Sequence, residues 1–450
     1  MQIYVTFDSF SRAHRRSRAS RGRRAALAHR GWLFFHSRER TGPGGFAVQH
    51  ECKLTEHAWP DRFFLPDKHK LVSAAETDED LTQVHKLFAE VGGLDYPSVD
   101  VSAREWLEAQ GASQSMLDIA EACYANDFGC SLGQLGLTEM ITESRRWDAG
   151  EAYFTLDRPM MALAESMAQR LPQSILCCWP LARVDHGPGG ALLYGPSGRR
   201  IRCRHLILAL PHSVLKAESV LFSPPLPAAK LAAQQRVKVS NAIKVILAFS
   251  RPFWPKDFFD VVCPRGFMHE FWVSTRPASL RASNSEPSQS ALLSHSADLP
   301  HSPAASSTGT ATPQQPSFNS PTPPEPTSPD RAEEMSGLRG SAIIRSTLAQ
   351  LDQIFGTEGQ KRPASRAYEH GHVVDWSKEP YARGAYTYPS LGAHVNDRDV
   401  LAEPLGQTVF FAGEATHPAI NPCIQAAIET GQQAAAQVLA ARSDKAESRL

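Results

Sequence analysis

The sequence predicts an α/β fold, and three observations carry that prediction. Short β-like runs at Ser174–Cys178, Leu181–Asp185, Ala191–Tyr194 and Ile201–Leu210 are broken by the turn formers Gly187-Pro188-Gly189-Gly190 and Gly195-Pro-Ser-Gly198. They read as a meander whose last apolar segment, Leu206–Leu210, enters a buried sheet. Near the carboxy end, the apolar strand Thr408–Ala412 runs through a glycine-containing turn into an alanine-rich helix at Ile424–Ala441. Segments of helical periodicity fill much of the rest. The 450 residues, 42% of them hydrophobic, suffice for two or three domains at about 150 residues each.

Taken in order, residues 11–30 hold eight arginines and no acid, a composition shared with organelle transit peptides and with unfolded basic arms. A globular pattern starts near Phe46. Asp80–Val91 places Leu81, Val84, Leu87, Phe88 and Val91 on one helical stripe with acids at its start. Ser102-Ala-Arg-Glu105 has capping-box spacing before Trp106 and Leu107. Ser115–Ala125 is a further amphipathic run, and Leu156–Leu171 reads as a helix carrying Met160, Leu163, Met167 and Leu171. Residues 277–336 hold 11 of the 33 prolines among dense Ser and Thr, a stretch too poor in apolar surface to offset its ordering entropy, so a disordered insert is expected. Helical periodicity returns near Ser341–Phe355.

Composition also excludes function classes. With 47 basic and 47 acidic residues the net charge is zero, so no chain-wide excess points to nucleic acid. No apolar run approaches the roughly 20 residues of a membrane span. The 8 cysteines form no C-x-x-C pair, and no metal site is expected.

Chemistry concentrates in the carboxy-terminal strand–turn–helix. Gly413 at a strand end would let a ligand approach the backbone, and a helix starting after Pro422 would present free N–H groups. An ordinary αβ connection would look the same. Lys244, between Ile243 and Val245, is either a desolvated lysine of lowered pKa or a snorkelling surface lysine. For Trp376 and Tyr386, core packing is the alternative to lining a site.

Several motifs occur together in one family's order. Phe410-Phe-Ala-Gly-Glu-Ala-Thr-His417, the block Trp376-x₃-Pro380-x₂-Arg383-Gly384-x-Tyr386-x-Tyr388, Leu221-Phe-Ser-Pro-Pro-Leu226, the strand Asn241–Phe249 followed by Phe253-Trp254, and residues 205–215 resemble the flavin-containing amine oxidases. Within that family they are most similar to the branch of polyamine oxidases and lysine-specific histone demethylase-like proteins. The resemblance covers about 46–440 without the insert. It implies an FAD-binding domain of the glutathione-reductase-like kind interleaved with an α+β substrate domain. The expected parts are an unassigned basic segment (1–45), substrate domain (46–160), FAD domain (161–213), substrate domain (214–276), insert (277–336), substrate domain (337–390), FAD domain (391–441) and tail (442–450). No G-x-G-x-x-G fingerprint occurs, since Gly42-Pro-Gly44-Gly45 lacks its third glycine, so an FAD domain incomplete at its amino-terminal side is expected.

The resemblance implies roles position by position. Leu181 would contact adenine, Gly413 and Glu414 the ribityl chain and phosphates, and Cys423 and Ile424 the ring. Lys244 would hold a water at flavin N5, and Tyr386 would flank the substrate amine, with Trp376, Tyr388 and His417 lining the site. His417 suits capping the turn better than acid–base work. FAD would be non-covalent, since Asn421-Pro-Cys423 lacks the Ser-Gly-Gly-Cys turn of covalent members. The implied reaction is oxidation of a small-molecule amine, most simply a polyamine, by hydride transfer to flavin N5, with molecular oxygen giving hydrogen peroxide. An L-amino-acid oxidase or desaturase-like activity, or an inactive binding module, are the alternatives. Ser448-Arg449-Leu450 resembles the peroxisomal Ser-Lys-Leu signal and would engage an import receptor. The arginine block would instead direct the chain to a plastid or mitochondrion, and with neither signal read it stays cytoplasmic.

Overall fold

The computed structural model describes residues 54–57, 62–65, 69–73, 78–147, 153–156, 161–171, 175–256, 258–273, 331–419 and 423–447. The expectations for residues 1–53, for the insert through 330 and for Ser448–Leu450 lie outside them.

The chain opens with β1 (Leu54–His57), β2 (Arg62–Leu65) and β3 (Lys70–Ser73). Helix α1 (Glu79–Ala89) starts where Asp78 accepts from the Leu81 N–H at 3.3 Å, with Glu79 and Asp80 in its first turn. Helix α2 (Ala103–Ala109) carries the full capping box: Ser102 Oγ accepts from the Glu105 N–H at 3.1 Å, and Glu105 accepts from the Ser102 N–H at 2.8 Å. Helix α3 (Gln114–Ala120) widens into a π-turn over Glu121–Ala125, followed by α4 (Leu137–Arg146). These helices share one core with Phe63, Val84, Leu107, Leu132, Ile141 and Tyr388.

Strand β4 (Tyr153–Leu156) pairs antiparallel with β1, and α5 spans Met161–Gln169. Leu156 therefore ends a strand, and the helix expected from Leu156 starts five residues later. Ile175–Cys178 is an exposed coil, not the expected strand, because no neighbouring strand pairs with it among the described residues. Strands β5 (Arg183–Gly187), β6 (Gly190–Tyr194) and β7 (Arg200–Cys203) form the meander, and β8 (Leu206–Leu208) leaves it. Helix α6 (His212–Lys216), β9 (Leu221–Ser223) and α7 (Ala228–Arg236) follow. The meander sheet has the order β7-β6-β5-β9, with β9 parallel to β5.

Strands β10 (Ile243–Phe249), β11 (Asp260–Val262) and β12 (Glu270–Trp272) precede the insert. The order β12-β11-β2-β3 makes a second four-stranded sheet. Helix α8 (Arg331–Ser336) corrects the insert's boundary: buried Met335 packs on Ile243, Met268 and Ile343, and this apolar anchor orders the last six residues assigned to it. Then come α9 (Gly340–Phe355), α10 (Pro363–Ala367), β13 (Tyr368–Asp375), α11 (Asp397–Ala402), β14 (Val409–Phe411) and α12 (Ile424–Glu447). Strand β13 pairs antiparallel with β10, and β14 pairs parallel with β8. Since α12 continues to Glu447, residues 442–447 of the expected tail are helical.

Two contacts seat α11 beneath β14. Arg236 grips Asp397 through two bonds of 2.6 and 2.8 Å. The buried Lys230 ammonium donates to the Val400 and Leu401 carbonyls at 2.6 and 2.9 Å and lies 4.2 Å from the Phe411 ring. The capping box gives the first prediction: Ser102→Ala should lower stability by about 1 kcal/mol without altering the denaturant slope, read from urea unfolding.

Candidate active site

The site is assembled around Tyr386. Gly384 lies at φ +146°, and a Cβ there would come within 2.7 Å of Val239 Cγ1, so the Arg383-Gly384 turn needs its glycine. That turn lets the chain run against Ser240: the Ala385 N–H donates to Ser240 O and the Ser240 N–H donates to Tyr386 O, both at 2.8 Å. The Tyr386 ring is buried, and its hydroxyl donates to the Asp127 carbonyl at 3.0 Å. Gly129, at φ +64°, brings the 126–131 loop onto Ser240 and this hydroxyl. Trp376, half-buried at the end of β13, donates its N–H to Ala242 O at 3.0 Å. One short stretch, 240–242, thus holds both the Trp376 and the Tyr386 segments.

Lys244 lies two residues further along, on β10 opposite Val374. Its side chain is buried at 6% exposure, and among the described residues its Nζ has no hydrogen-bond partner. Burial alone lowers its pKa from 10.5 to about 7. An ammonium stem on a strand interior is normally paired or wet, so this orphan marks a place prepared for a ligand or an ordered water.

Carboxylates converge on the same region. Burial raises the Asp127 carboxyl to about 7. Burial also pushes the Tyr386 hydroxyl and the Cys423 thiol well up, and Asp127 adds to both; Glu270 acts on Tyr386, and Glu143 and Glu414 on Cys423.

The carboxy-terminal turn closes the arrangement. Gly413 adopts φ +128°, and a Cβ built there meets nothing within 4 Å among the described residues, so none of them closes off this backbone. Its N–H donates to Thr430 Oγ1 at 3.0 Å, which ties the turn to α12. Glu414 turns inward: its two oxygens accept from the Thr387 N–H at 3.1 Å and the Thr387 hydroxyl at 2.6 Å. The Thr387 oxygen accepts from Arg398 at 2.8 Å, and Arg398 donates to Glu139 at 2.7 Å. Burial raises the Glu414 pKa, held back by Arg398 and Thr387. At the start of α12, Gln425 is fully buried, and among the described residues neither amide atom has a partner.

The structure brings Tyr386, Gly413, Glu414, Cys423 and Ile424 to one region, while Lys244 on β10 and Trp376 at the end of β13 lie on the two paired strands next to the 240–242 stretch that holds the Tyr386 segment. Tyr388 instead packs in the helical core, and Leu181 stands apart, beside the apolar side chains of β8 and β14. His417 pins the turn: its Nδ1 accepts from the Ala419 N–H and its Nε2 donates to Glu429, both at 3.1 Å. Asp127, Thr387, Arg398, Glu139 and Gln425 escaped the sequence reading. Thr387 carried a signal, standing between Tyr386 and Tyr388 in the matching block, and Gln425 stood next to Ile424 at the start of the expected helix.

The residues present fit a flat, polar-edged ring system such as flavin. Open space at Gly413, the unpartnered Gln425 amide and the unpartnered Lys244 ammonium supply a backbone cradle, a donor–acceptor pair and a cation. Among the described residues there is no group of His, Cys, Asp and Glu able to hold a metal ion, and no helix is long and apolar enough to cross a membrane.

Comparison with known proteins agrees with this geometry. The family profile "Flavin containing amine oxidoreductase" matches residues 53–439. The chain is 23% identical over 398 residues to lysine-specific histone demethylase 1 homolog 2 of Oryza sativa subsp. japonica, covering 88% of this chain and 44% of that protein. It is 26% identical over 255 residues to the human peroxisomal N(1)-acetyl-spermine/spermidine oxidase, covering 54% and 44%. The chain thus spans less than half the length of these curated relatives. Among solved structures, cyclohexylamine oxidase from Brevibacterium oxydans superposes with a TM-score of 0.68 at 16% identity, over 92% of this chain and 87% of that one. Putrescine oxidase bound to putrescine gives 0.69 at 15% identity, over 91% and 88%. These likenesses establish the fold: an FAD-binding α/β architecture with a substrate-binding domain.

Two predictions follow from the charges. Lys244→Met should stabilise the protein at pH 7 by several kcal/mol, since methionine fills the stem volume without a buried ammonium. The folded pKa near 7 lies below the unfolded 10.5. The penalty is therefore complete below pH 7, and stability climbs from pH 7 to 10.5; denaturant melts across that window should show the climb in the parent and not in the variant. Arg398→Leu should cost about 3–5 kcal/mol by leaving Glu139 and Glu414 buried without their cation. Burial already raises the folded pKa of Glu414, so without the arginine stability should fall as pH rises, and the gap from the parent should narrow toward pH 5 in the same melts.

Proposed function

The chain belongs to the flavin containing amine oxidoreductases, and on that premise we propose that it oxidises an amine that arrives as a cation, most simply a polyamine. The observation carrying this reading is the set of carboxylates, Asp127 and Glu270 foremost, acting on the buried Tyr386, whose segment is held by the stretch that leads into the strand of Lys244. Such a lining attracts an ammonium group, while the Tyr386 face covers it from water. Oxidation next to nitrogen requires the neutral amine, and Asp127, titrating near 7, is matched to accepting the ammonium proton at its carboxylate. Gly413, Cys423, Ile424 and Gln425 would hold the ring of non-covalently bound FAD, with Leu181 toward the adenine. When bound, FAD supplies the hydride acceptor and passes the electrons to molecular oxygen as hydrogen peroxide. Lys244 Nζ, buried and otherwise without a partner, would hold the water that hydrolyses the product imine to an aldehyde and a smaller amine.

A second reading places the amine on a methylated lysine side chain. It is supported by the relative named as a histone demethylase, which aligns with 88% of this chain. The chemistry at carbon and nitrogen is the same; only the carrier of the amine differs.

The test is anaerobic. Purified protein loaded with FAD is titrated with spermine, an acetylated polyamine, a methyl-lysine peptide and an L-amino acid. Bleaching of the visible flavin band by the polyamines is the expected result. Bleaching by the peptide alone transfers the assignment to the second reading. No bleaching by any amine, or no flavin retained, overturns both.

A further inference from the structure

The meander sheet carries charge that neither the fold nor the amine site uses. Its inner face is apolar, with Val184, Ala191, Leu193 and Val220 buried and Ile201 and Cys203 packed on them. The alternate residues meet on the outer face. Arg200 stands opposite Tyr194 and Arg202 opposite Leu192; one strand further, Tyr194 faces Arg183 and Leu192 faces Asp185. Arg199, Arg200, Arg202 and Arg204 are all exposed, Arg204 in the bend that follows β7.

On this outer face of the four strands Asp185 is the one carboxylate, and it is already engaged. It accepts from Arg183 Nε and from the Tyr194 hydroxyl, each at 2.6 Å. The Arg183 and Arg200 guanidinium groups lie 5.6 and 5.3 Å from the centre of the Tyr194 ring. Strand β7 is the sheet's edge.

We propose that this face binds the phosphate backbone of a single-stranded nucleic acid. Side chains two apart on a strand repeat every ~6.6 Å, a step comparable with that between successive phosphates of an extended strand. Guanidinium forks pair phosphate oxygens bidentately, so Arg200 and Arg202 form two phosphate seats along the sheet's edge strand, with the exposed Arg204 at its end as a third. An anionic membrane fits less well, because surface binding wants apolar anchors among the cations. The exposed large apolar side chain on this face, Leu221, sits on β9 at the opposite edge. The chain's net charge of zero does not oppose the assignment, since association is governed by the local field.

Charged side chains on an edge strand also deter pairing with other sheets, and the experiment separates that role from binding. Fluorescence anisotropy of a labelled oligo-dT of about 20 nucleotides is followed against salt, with phosphatidylserine vesicles as competitor. Three to four phosphates neutralised predict a log–log slope of about −2 to −3, so raising salt from about 50 to 200 mM should weaken binding roughly 20- to 50-fold. Arg200→Ser/Arg202→Ser/Arg204→Ser should bind at least tenfold more weakly and lose most of that slope, while its thermal melt and its amine-dependent flavin bleaching stay those of the parent. Should that variant fail to fold, Arg202→Glu alone is expected to lower affinity several-fold and reduce the slope by about one phosphate. No binding at about 50 mM salt, a triple variant that binds like the parent, or vesicles that displace the oligonucleotide at equal charge would overturn the proposal.

Discussion

Glu414 gives both carboxylate oxygens to Thr387, and the arrangement of the site depends on that pair. The Thr387 oxygen is in turn bonded by Arg398, whose guanidinium also reaches Glu139 on α4 and the Tyr388 carbonyl. Glu139 spends its other oxygen on the Ser390 N–H at 2.6 Å. Four segments distant in sequence — α4, residues 387–390, α11 and the 413–416 turn — are thereby fixed by one buried cation shared between two carboxylates. Such a network contributes little net stability over an apolar core, because desolvating three charges offsets most of their attraction. What it does contribute is position. Tyr386 precedes Thr387 and Gly413 precedes Glu414, so the aromatic wall and the open backbone are held in register by the same bonds.

Arg398 and Lys244 illustrate how burial of a cation can mean opposite things. Arg398 has a partner for each group it presents to its neighbours, and its charge is retained. Lys244 is equally buried, has no partner, and gives up much of its affinity for a proton. The first is what a structural ion looks like. The second is unfavourable for the fold taken alone and makes sense only if something else fills the space beside it.

Local pattern made much of the fold legible. The capping box at Ser102, the stripe through Leu81 and Val84 and the meander between Gly187 and Tyr194 are set by neighbours within a few residues, and each formed where periodicity placed it. The failures share a cause. Ser174–Cys178 has strand composition, but a strand needs a partner at its edge, and partners are not written in local sequence. Leu156–Leu171 mixes a strand end and a helix because both bury leucines. Residues 331–336 look like their proline-rich neighbours except for Met335, whose burial against Ile243 depends on a strand almost a hundred residues away. Lys244, Tyr386 and Gly413 could be singled out because the motifs around them resemble those of a family. Asp127 and Arg398 could not, since in sequence each is a common charged residue outside those motifs, and Thr387 fell at an unspecified position within one.

Charge shows the same limit more sharply. The balance of 47 basic and 47 acidic residues argued against polyanions, yet a sum over the chain carries no information on placement. In three dimensions the signs separate. Carboxylates act on Tyr386 and Cys423 in the interior, where low dielectric magnifies them, whereas arginines line the edge strand of the meander. Burial raises the pKa of acids such as Asp127, whereas the arginines of the edge strand keep their guanidinium groups in water. The same neutral composition can therefore supply a titratable interior suited to handling an amine and a permanently cationic surface suited to holding a polyanion. Which function each charge serves is decided by its distance from water.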